Sequence, residues 1–223
     1  MMNKGIILLS GGLDSLVSLG LAKDEYNVEL AITFDYGQKS AQKEIGASEK
    51  ICDYYKIEHK VIKLDWLKNI TDNSLTNDDK MLPKGLDNPY LSVKSVWVPN
   101  RNGLFLNIAA AFAESGEYTH IIIGANKEEA QTFPDNSKDF IDCVNQEFKF
   151  STLKAPKVIA PLINYDKNDI VNLALKNSMP LNLIQSCYDS IDGHCGVCES
   201  CTRLRNALKY NKDVYYTNLL FKN

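Results

Sequence analysis

Ser10-Gly11-Gly12-Leu13-Asp14-Ser15 stands between a short apolar run, Gly5 to Leu9, and an amphipathic stretch, Asp14 to Lys23. Adjacent glycines at a strand-to-helix junction let the backbone turn tightly and approach a ligand closely, and the free N–H groups of the helix start point at that ligand. With Ser10 and Ser15 as hydroxyl donors, the loop suits an anion such as phosphate. A P-loop is excluded because no Gly-Lys-Ser/Thr ending is present, and a dinucleotide loop because the glycines are adjacent rather than spaced G-x-G-x-x-G. Asp35 lies where a ribose-binding acid would fall, but without the glycine spacing it does not restore that reading. Asp14 has two readings. A carboxylate inside a phosphate loop suits Mg²⁺, which bridges carboxylate and phosphate oxygens; equally, an acid in a first helical turn is favoured by the helix dipole alone.

Downstream, short apolar runs alternate with longer amphipathic ones, the pattern of a doubly wound α/β parallel sheet. Strands are expected at Gly5 to Leu9, Val28 to Phe34, His59 to Leu64, His120 to Gly124 and Lys157 to Ala160. Helices are expected at Asp14 to Lys23, Gln38 to Tyr55, Leu104 to Ala113, Ser137 to Phe148 and Lys167 to Lys176, the last capped by Asp166 with Asp169 three residues on. Thr71 to Ser95 is polar, carries Pro83, Gly85 and Pro89, and is longer than usual for a loop, so it reads as a lid or a partner-contact segment. The chain of 223 residues has room for one sizeable domain and a small appendage, here placed at 1–180 and 181–223.

A net charge of -3 disfavours stable nucleic-acid binding, which depends on Lys and Arg neutralising phosphates. No apolar run reaches the ~18 residues of a membrane span, and the N-terminus has no signal-peptide pattern, so a cytoplasmic location is expected.

Six cysteines in such a compartment argue against disulfides. Cys187, Cys195, Cys198 and Cys201 form C-x7-C-x2-C-x2-C, with Gly193 and Gly196 allowing the turns that gather four thiolates around a tetrahedral Zn²⁺. C-x2-C-x2-C also begins a ferredoxin-type motif, but the continuation x3-Cys-Pro is missing and Cys187 lies upstream instead, which favours zinc. Four protein ligands leave no open position, so the role is structural, with His194 only a neighbour. Cys52 and Cys143 sit on amphipathic helices and read as small buried residues.

Val98-Pro99-Asn100-Arg101-Asn102 precedes an apolar helix, where a loop at the carboxyl edge of a sheet faces the ligand crevice. Arg101 reads either as a solvated charge or as a partner for phosphate or carboxylate. After the fourth strand, Phe133 could stack on a base while Glu129 or Asp135 accepts its N–H groups; an ordinary turn capped by Asp135 or Asn136 fits as well.

SGGLDS resembles the pyrophosphatase loop (PP-loop) of enzymes that cleave ATP between its α and β phosphates to form adenylates. Together with Phe34-Asp35-Tyr36-Gly37-Gln38, VPNRN, FPDN and the Ser186 to Cys201 cluster followed by Arg203, it resembles the 7-cyano-7-deazaguanine synthase (QueC) family over nearly the whole chain. The resemblance implies a PP-loop fold, a four-cysteine zinc site, a homodimer, and conversion of 7-carboxy-7-deazaguanine, ammonia and Mg²⁺-ATP into the nitrile precursor of queuosine and archaeosine. Carried over residue by residue, it puts ATP on Ser10, Gly11, Gly12, Leu13, Asp14, Ser15, Leu16, Val17, Ser18 and Leu19, zinc on Cys187, Cys195, Cys198 and Cys201, and ligand-facing roles on Arg101 and Asp135; Asp14 and Arg101 are the catalytic candidates. Two departures stand out: Asn100 replaces the glycine of V-P-G-R-N, and Glu129 to Ser137 lacks the tyrosine and arginine of D-Y-S-G-Y-P-D-C-R. The rival readings are a PP-loop tRNA thiolase or ligase, a relative that attaches the deazaguanine to a protein, and a zinc-ribbon interaction module on a catalytically dead domain.

Overall fold

The structure, a computed structural model, describes residues 3–85, 94–189 and 193–221. Five parallel strands form one sheet: β1 (Gly5–Leu8), β2 (Val28–Asp35), β3 (Glu58–Lys63), β4 (His120–Ile122) and β5 (Lys157–Ile159), in the order β3-β2-β1-β4-β5. β1 is buried along its length and β2 nearly so, as expected of central strands covered on both faces.

Between the strands run α1 (Leu13–Ala22), α2 (Ala41–Tyr55), α3 (Asp65–Asn69), α4 (Arg101–Gly116), α5 (Lys127–Ala130) and α6 (Lys138–Ser151); α7 (Lys167–Lys176), α8 (Glu199–Tyr210) and α9 (Val214–Leu220) follow the sheet. One apolar cluster joins Leu16, Ile170 and Val171 to Leu204 and Leu208, so the segment after 181 packs into the same core as α1 and α7. The cluster on the other face joins Ile6, Ile32 and Ile121 to Leu106 of α4 and Phe148 of α6. No helix among the described residues is long and apolar enough to cross a membrane.

Two expected helix starts shift for local reasons. α2 begins at Ala41 rather than Gln38 because the Gln38 side chain is used in the turn, where its carbonyl accepts from the Tyr36 N–H at 2.9 Å and its amide donates to the Phe34 carbonyl at 3.1 Å. α4 begins earlier than Leu104, with Arg101 as its first residue, because Asn100 takes the left-handed conformation (φ 52°) that ends the preceding turn.

The expected loop from Thr71 to Ser95 is described except for residues 86–93. Thr71, Asn73, Ser74 and Thr76 are buried, and Asn73 closes its own turn by accepting from the N–H groups of Leu75 and Thr76 at 2.8 and 3.2 Å. The segment's end reaches the cysteine cluster, where the Gly85 N–H donates to the Val197 carbonyl at 3.0 Å. Cys143, read from sequence as buried, is exposed, whereas Cys52 is buried and its thiol is pushed up to about 12 by that burial.

Asp166 and Asp169 form a reciprocal capping box at α7, as the sequence pattern predicts. Asp166→Ala is expected to cost about 1 kcal/mol, lowering Tm by roughly 2–4 °C in a thermal melt.

Candidate active site

β1 continues to β2 on one side and pairs with β4 on the other, so the connections leaving the carboxyl ends of β1 and β4 diverge and leave a crevice. The glycine loop lies at that point. Gly11 has φ +73°, and a Cβ there would stand 2.7 Å from the Glu44 carbonyl oxygen, so α2 packs directly against it. Gly124, just after β4, is tight for a second reason: a Cβ there would stand 3.0 Å from the Ser15 amide nitrogen. The Ser15 hydroxyl donates to the Gly12 carbonyl at 3.0 Å and lies 3.2 Å from the Ser10 hydroxyl, which braces the loop across its mouth.

A cavity of about 260 Å³ opens in front of the loop, lined by Ser10, Gly12, Leu13, Asp14 and Ser15, by Arg101 and Asn102, and by Glu129, Phe133 and Asp135. Lys167 enters it from α7, with Nζ 2.7 and 3.0 Å from the two Asp14 carboxylate oxygens and 3.3 Å from Glu129. Burial pushes Asp14 up to about 6 against the pull of Lys167, with Glu129 and Glu128 adding to the rise. Burial likewise opposes the Lys167 charge, but Asp14 and Glu129 hold its pKa above the ordinary lysine value. Glu129 lies below its usual range, because Lys167 and Arg203 outweigh its burial.

Arg101 donates to the Tyr36 hydroxyl at 3.3 Å; burial works against its charge, yet Tyr36 and Asp135 keep its pKa above the ordinary value. Burial raises Asp135 despite that same arginine. The rings of Phe133 and Trp97 are parallel to within 4°, with centroids 6.1 Å apart. Arg203 ties α8 to this site by pairing with Glu128 and, at 2.7 Å, with Glu199.

The four sulfurs of Cys187, Cys195, Cys198 and Cys201 lie within 4.8 Å of one another, and Cys195 and Cys201 are 3.9 Å apart. Metal–sulfur bonds of about 2.3 Å in a tetrahedron require sulfurs about 3.8 Å apart, so the set fits one metal ion. Backbone N–H groups of Asp189, Cys198 and Cys201 point at three of the sulfurs, at 3.5, 3.2 and 3.5 Å, which favours thiolates. His194 is spoken for elsewhere: its Nε2 accepts from the Ser186 N–H at 3.1 Å.

The family described as queuosine biosynthesis protein QueC matches residues 4–212. This chain belongs to the QueC family. It is 48% identical over 216 residues to the 7-cyano-7-deazaguanine synthase of Methanosarcina barkeri, covering 92% of this chain and 94% of that protein. With the synthase of the same name from Carboxydothermus hydrogenoformans it shares 50% over 211 residues, covering 92% and 98%. Among solved structures, the U34-tRNA thiolase NcsA from Methanococcus maripaludis with its 4Fe–4S cluster superposes with a TM-score of 0.53 at 20% identity, covering 98% of this chain and 70% of that one. A 4-thiouridine synthetase in an RNA complex with bound ATP gives 0.52 at 20% identity, covering 96% and 52%. At that identity the two structures speak to fold alone, and the fold is the one they share with this QueC chain.

Within the QueC chain, Ser10, Gly12, Leu13, Asp14, Ser15, Arg101, Glu129, Phe133 and Asp135 surround one cavity. Leu16, Val17 and Leu19, grouped with the loop from sequence, face the apolar core behind it, and Ser18 is fully buried beside them. Sequence reasoning missed Lys167, Trp97 and Tyr188, all on the cavity wall. A signal for Lys167 was present: a lysine in the first helical position, directly after a capping aspartate, opposes the helix dipole and calls for a reason.

Loading with Co²⁺ is expected to give the thiolate charge-transfer absorption of a tetrahedral site with one ion per chain, and Cys201→Ser to weaken metal retention at least tenfold in a chelator competition. Wild-type-like retention in that variant would exclude the four-thiolate site.

Proposed function

We propose that this chain converts 7-carboxy-7-deazaguanine, ammonia and ATP into 7-cyano-7-deazaguanine, the activity for which its relatives are named. The carrying observation is that the glycine loop and the Arg101–Asp135–Phe133 wall face each other across one cavity. One side presents amides and hydroxyls for phosphate, and the other presents groups suited to a planar base with a carboxylate.

In this reading Ser10 to Ser15 would hold the phosphates of ATP, and Asp14 would be the carboxylate that holds its Mg²⁺. Arg101 faces the carboxylate or the α-phosphate, and the parallel rings of Trp97 and Phe133 give the base a flat wall. Asp135 offers a carboxylate to paired N–H donors on one edge of the base, a bidentate match. Glu129 contributes by holding Lys167 at the cavity wall rather than by reaching the base freely.

The substrate carboxylate attacks the α-phosphorus, pyrophosphate leaves, and ammonia displaces AMP to give the amide. Adenylation of the amide oxygen by a second ATP, with loss of a second pyrophosphate, and elimination of AMP then yield the nitrile. No protein nucleophile is required. The chain's part is to align two substrates and to place fixed positive charge and N–H donors where negative charge develops. Zinc is the metal that the four thiolates suit, closed to substrate and holding residues 185–188 and the start of α8 in place.

Incubation with ATP, Mg²⁺, ammonium and 7-carboxy-7-deazaguanine is expected to yield AMP and the nitrile by mass spectrometry, with both lost in Asp14→Ala. AMP without a base product would move the reading to a different acceptor. Arg101→Ala is expected to lower kcat/KM for the base at least a hundredfold, the order found when one transition-state donor is removed, with little change in Tm.

A further inference from the structure

Local physics opposes the position of Lys167 twice. Lysine is almost never buried unless paired, and a cation in the first turn of a helix faces the positive end of the dipole. Yet Lys167 is the first residue of α7 and only 8% exposed. Asp14 and Glu129 hold its ammonium, and its own backbone N–H donates to Glu128 at 3.1 Å.

The glycine loop has no lysine of its own, unlike a P-loop, whose lysine reaches the outer phosphates. The fold supplies one from 153 residues further along the chain, 2.7 Å from the aspartate inside the loop. The other cations on the cavity wall have different partners: Arg101 faces the Tyr36 hydroxyl, and Arg203 is paired with Glu128 and Glu199.

We propose that Lys167 is a catalytic residue whose ammonium binds the pyrophosphate leaving group. The inference rests on the adenylation reading above. As the substrate oxygen bonds to the α-phosphorus, the bond from that phosphorus to the α,β-bridging oxygen breaks and its electron pair departs with pyrophosphate. Negative charge grows on the pyrophosphate oxygens, and Nζ–H donates to them; no proton changes hands. Asp14 is what holds the ammonium there before nucleotide enters. Asp14 and Glu129 share that ammonium, and polyphosphate oxygens seated on the loop would compete with the two carboxylates for its N–H groups.

A purely structural pair joining α7 to α1 makes a different prediction, so the test compares ligands rather than activity alone. Inorganic pyrophosphate with Mg²⁺, and AMP, are titrated separately by calorimetry into wild type and Lys167→Gln, and AMP formation is followed in a single turnover. Pyrophosphate affinity is expected to fall roughly tenfold to a hundredfold, the worth of one charge-assisted hydrogen bond. AMP affinity should stay within about threefold, and AMP formation should slow about a hundredfold. Unchanged pyrophosphate affinity, or equal loss for both ligands, overturns the proposal. If Lys167→Gln does not fold, Lys167→Met and the charge-keeping Lys167→Arg are titrated in its place. Lys167→Met must then bind pyrophosphate at least tenfold more weakly than Lys167→Arg, and equal binding overturns the proposal. Should wild type make AMP but no nitrile, the substrate assignment fails while the pyrophosphate comparison still decides the role of Lys167.

Discussion

Everything at the site depends on one topological constraint, the reversal of strand order between β1 and β4. Because the chain leaves β1 toward β2 and returns to β4 on the opposite side, the connections diverge at the carboxyl ends of these two strands and leave an opening between them. The glycine loop after β1 and the turn after β4 are pressed together below that opening, with Gly124 against the amide of Ser15. The first turn of α1 therefore opens into a crevice whose further walls come from α4, α5 and the segment before α8. A side chain at position 11 would push the loop off α2, and one at position 124 would push it off the turn after β4, so two glycines far apart in sequence seat the loop from two sides.

The crevice is also electrostatically demanding. Lys167 and Arg203 are two cations facing Asp14, Glu128, Glu129 and Glu199. Taking such charges out of water costs several kcal/mol per ion unless the pairs are close and further hydrogen bonds complete them. Glu128 shows how completion is reached: one oxygen accepts from the Lys167 backbone, and the other pairs with Arg203. α5, α7 and α8 are thereby fixed to one another by groups that also bound the cavity. An apolar core could hold these helices together at lower cost; a network of this kind also presents charge to a ligand, which an apolar core does not.

The fold was largely legible because its signals are local. Apolar runs announced all five strands, and the Asp166/Asp169 box announced α7. The glycine loop and the cysteine spacing were legible for the same reason, each lying within a short stretch of chain. Lys167 was not, because its meaning comes from Asp14, which no local pattern connects to it. Trp97 became visible only when its ring lay parallel to that of Phe133. Thr71, Asn73, Ser74 and Thr76 run the other way: the polar segment reads as a lid or a partner-contact segment, yet these four residues are buried, with the Thr76 hydroxyl bonded to the Thr71 carbonyl and the Asn73 side chain.

The cysteine cluster and the glycine loop are parts of one structure. Cys187 is a member of the cluster, and the two residues before it reach the loop. The Gln185 N–H donates to the Gly11 carbonyl at 2.8 Å, and the Ser186 hydroxyl accepts from the Leu13 N–H at 3.3 Å. On its other side the same strap is held by His194 and by the Gly193 carbonyl, which accepts from the Gln185 side chain at 3.2 Å. A shift at Cys187 would be passed to both contacts through the two residues before it. The position of the cysteine cluster is therefore coupled to that of the loop, whose Leu13 amide already has Ser186 bonded to it. An anion seated on this loop must share that amide or displace the hydroxyl, so its binding is linked to a segment whose position the cysteines determine.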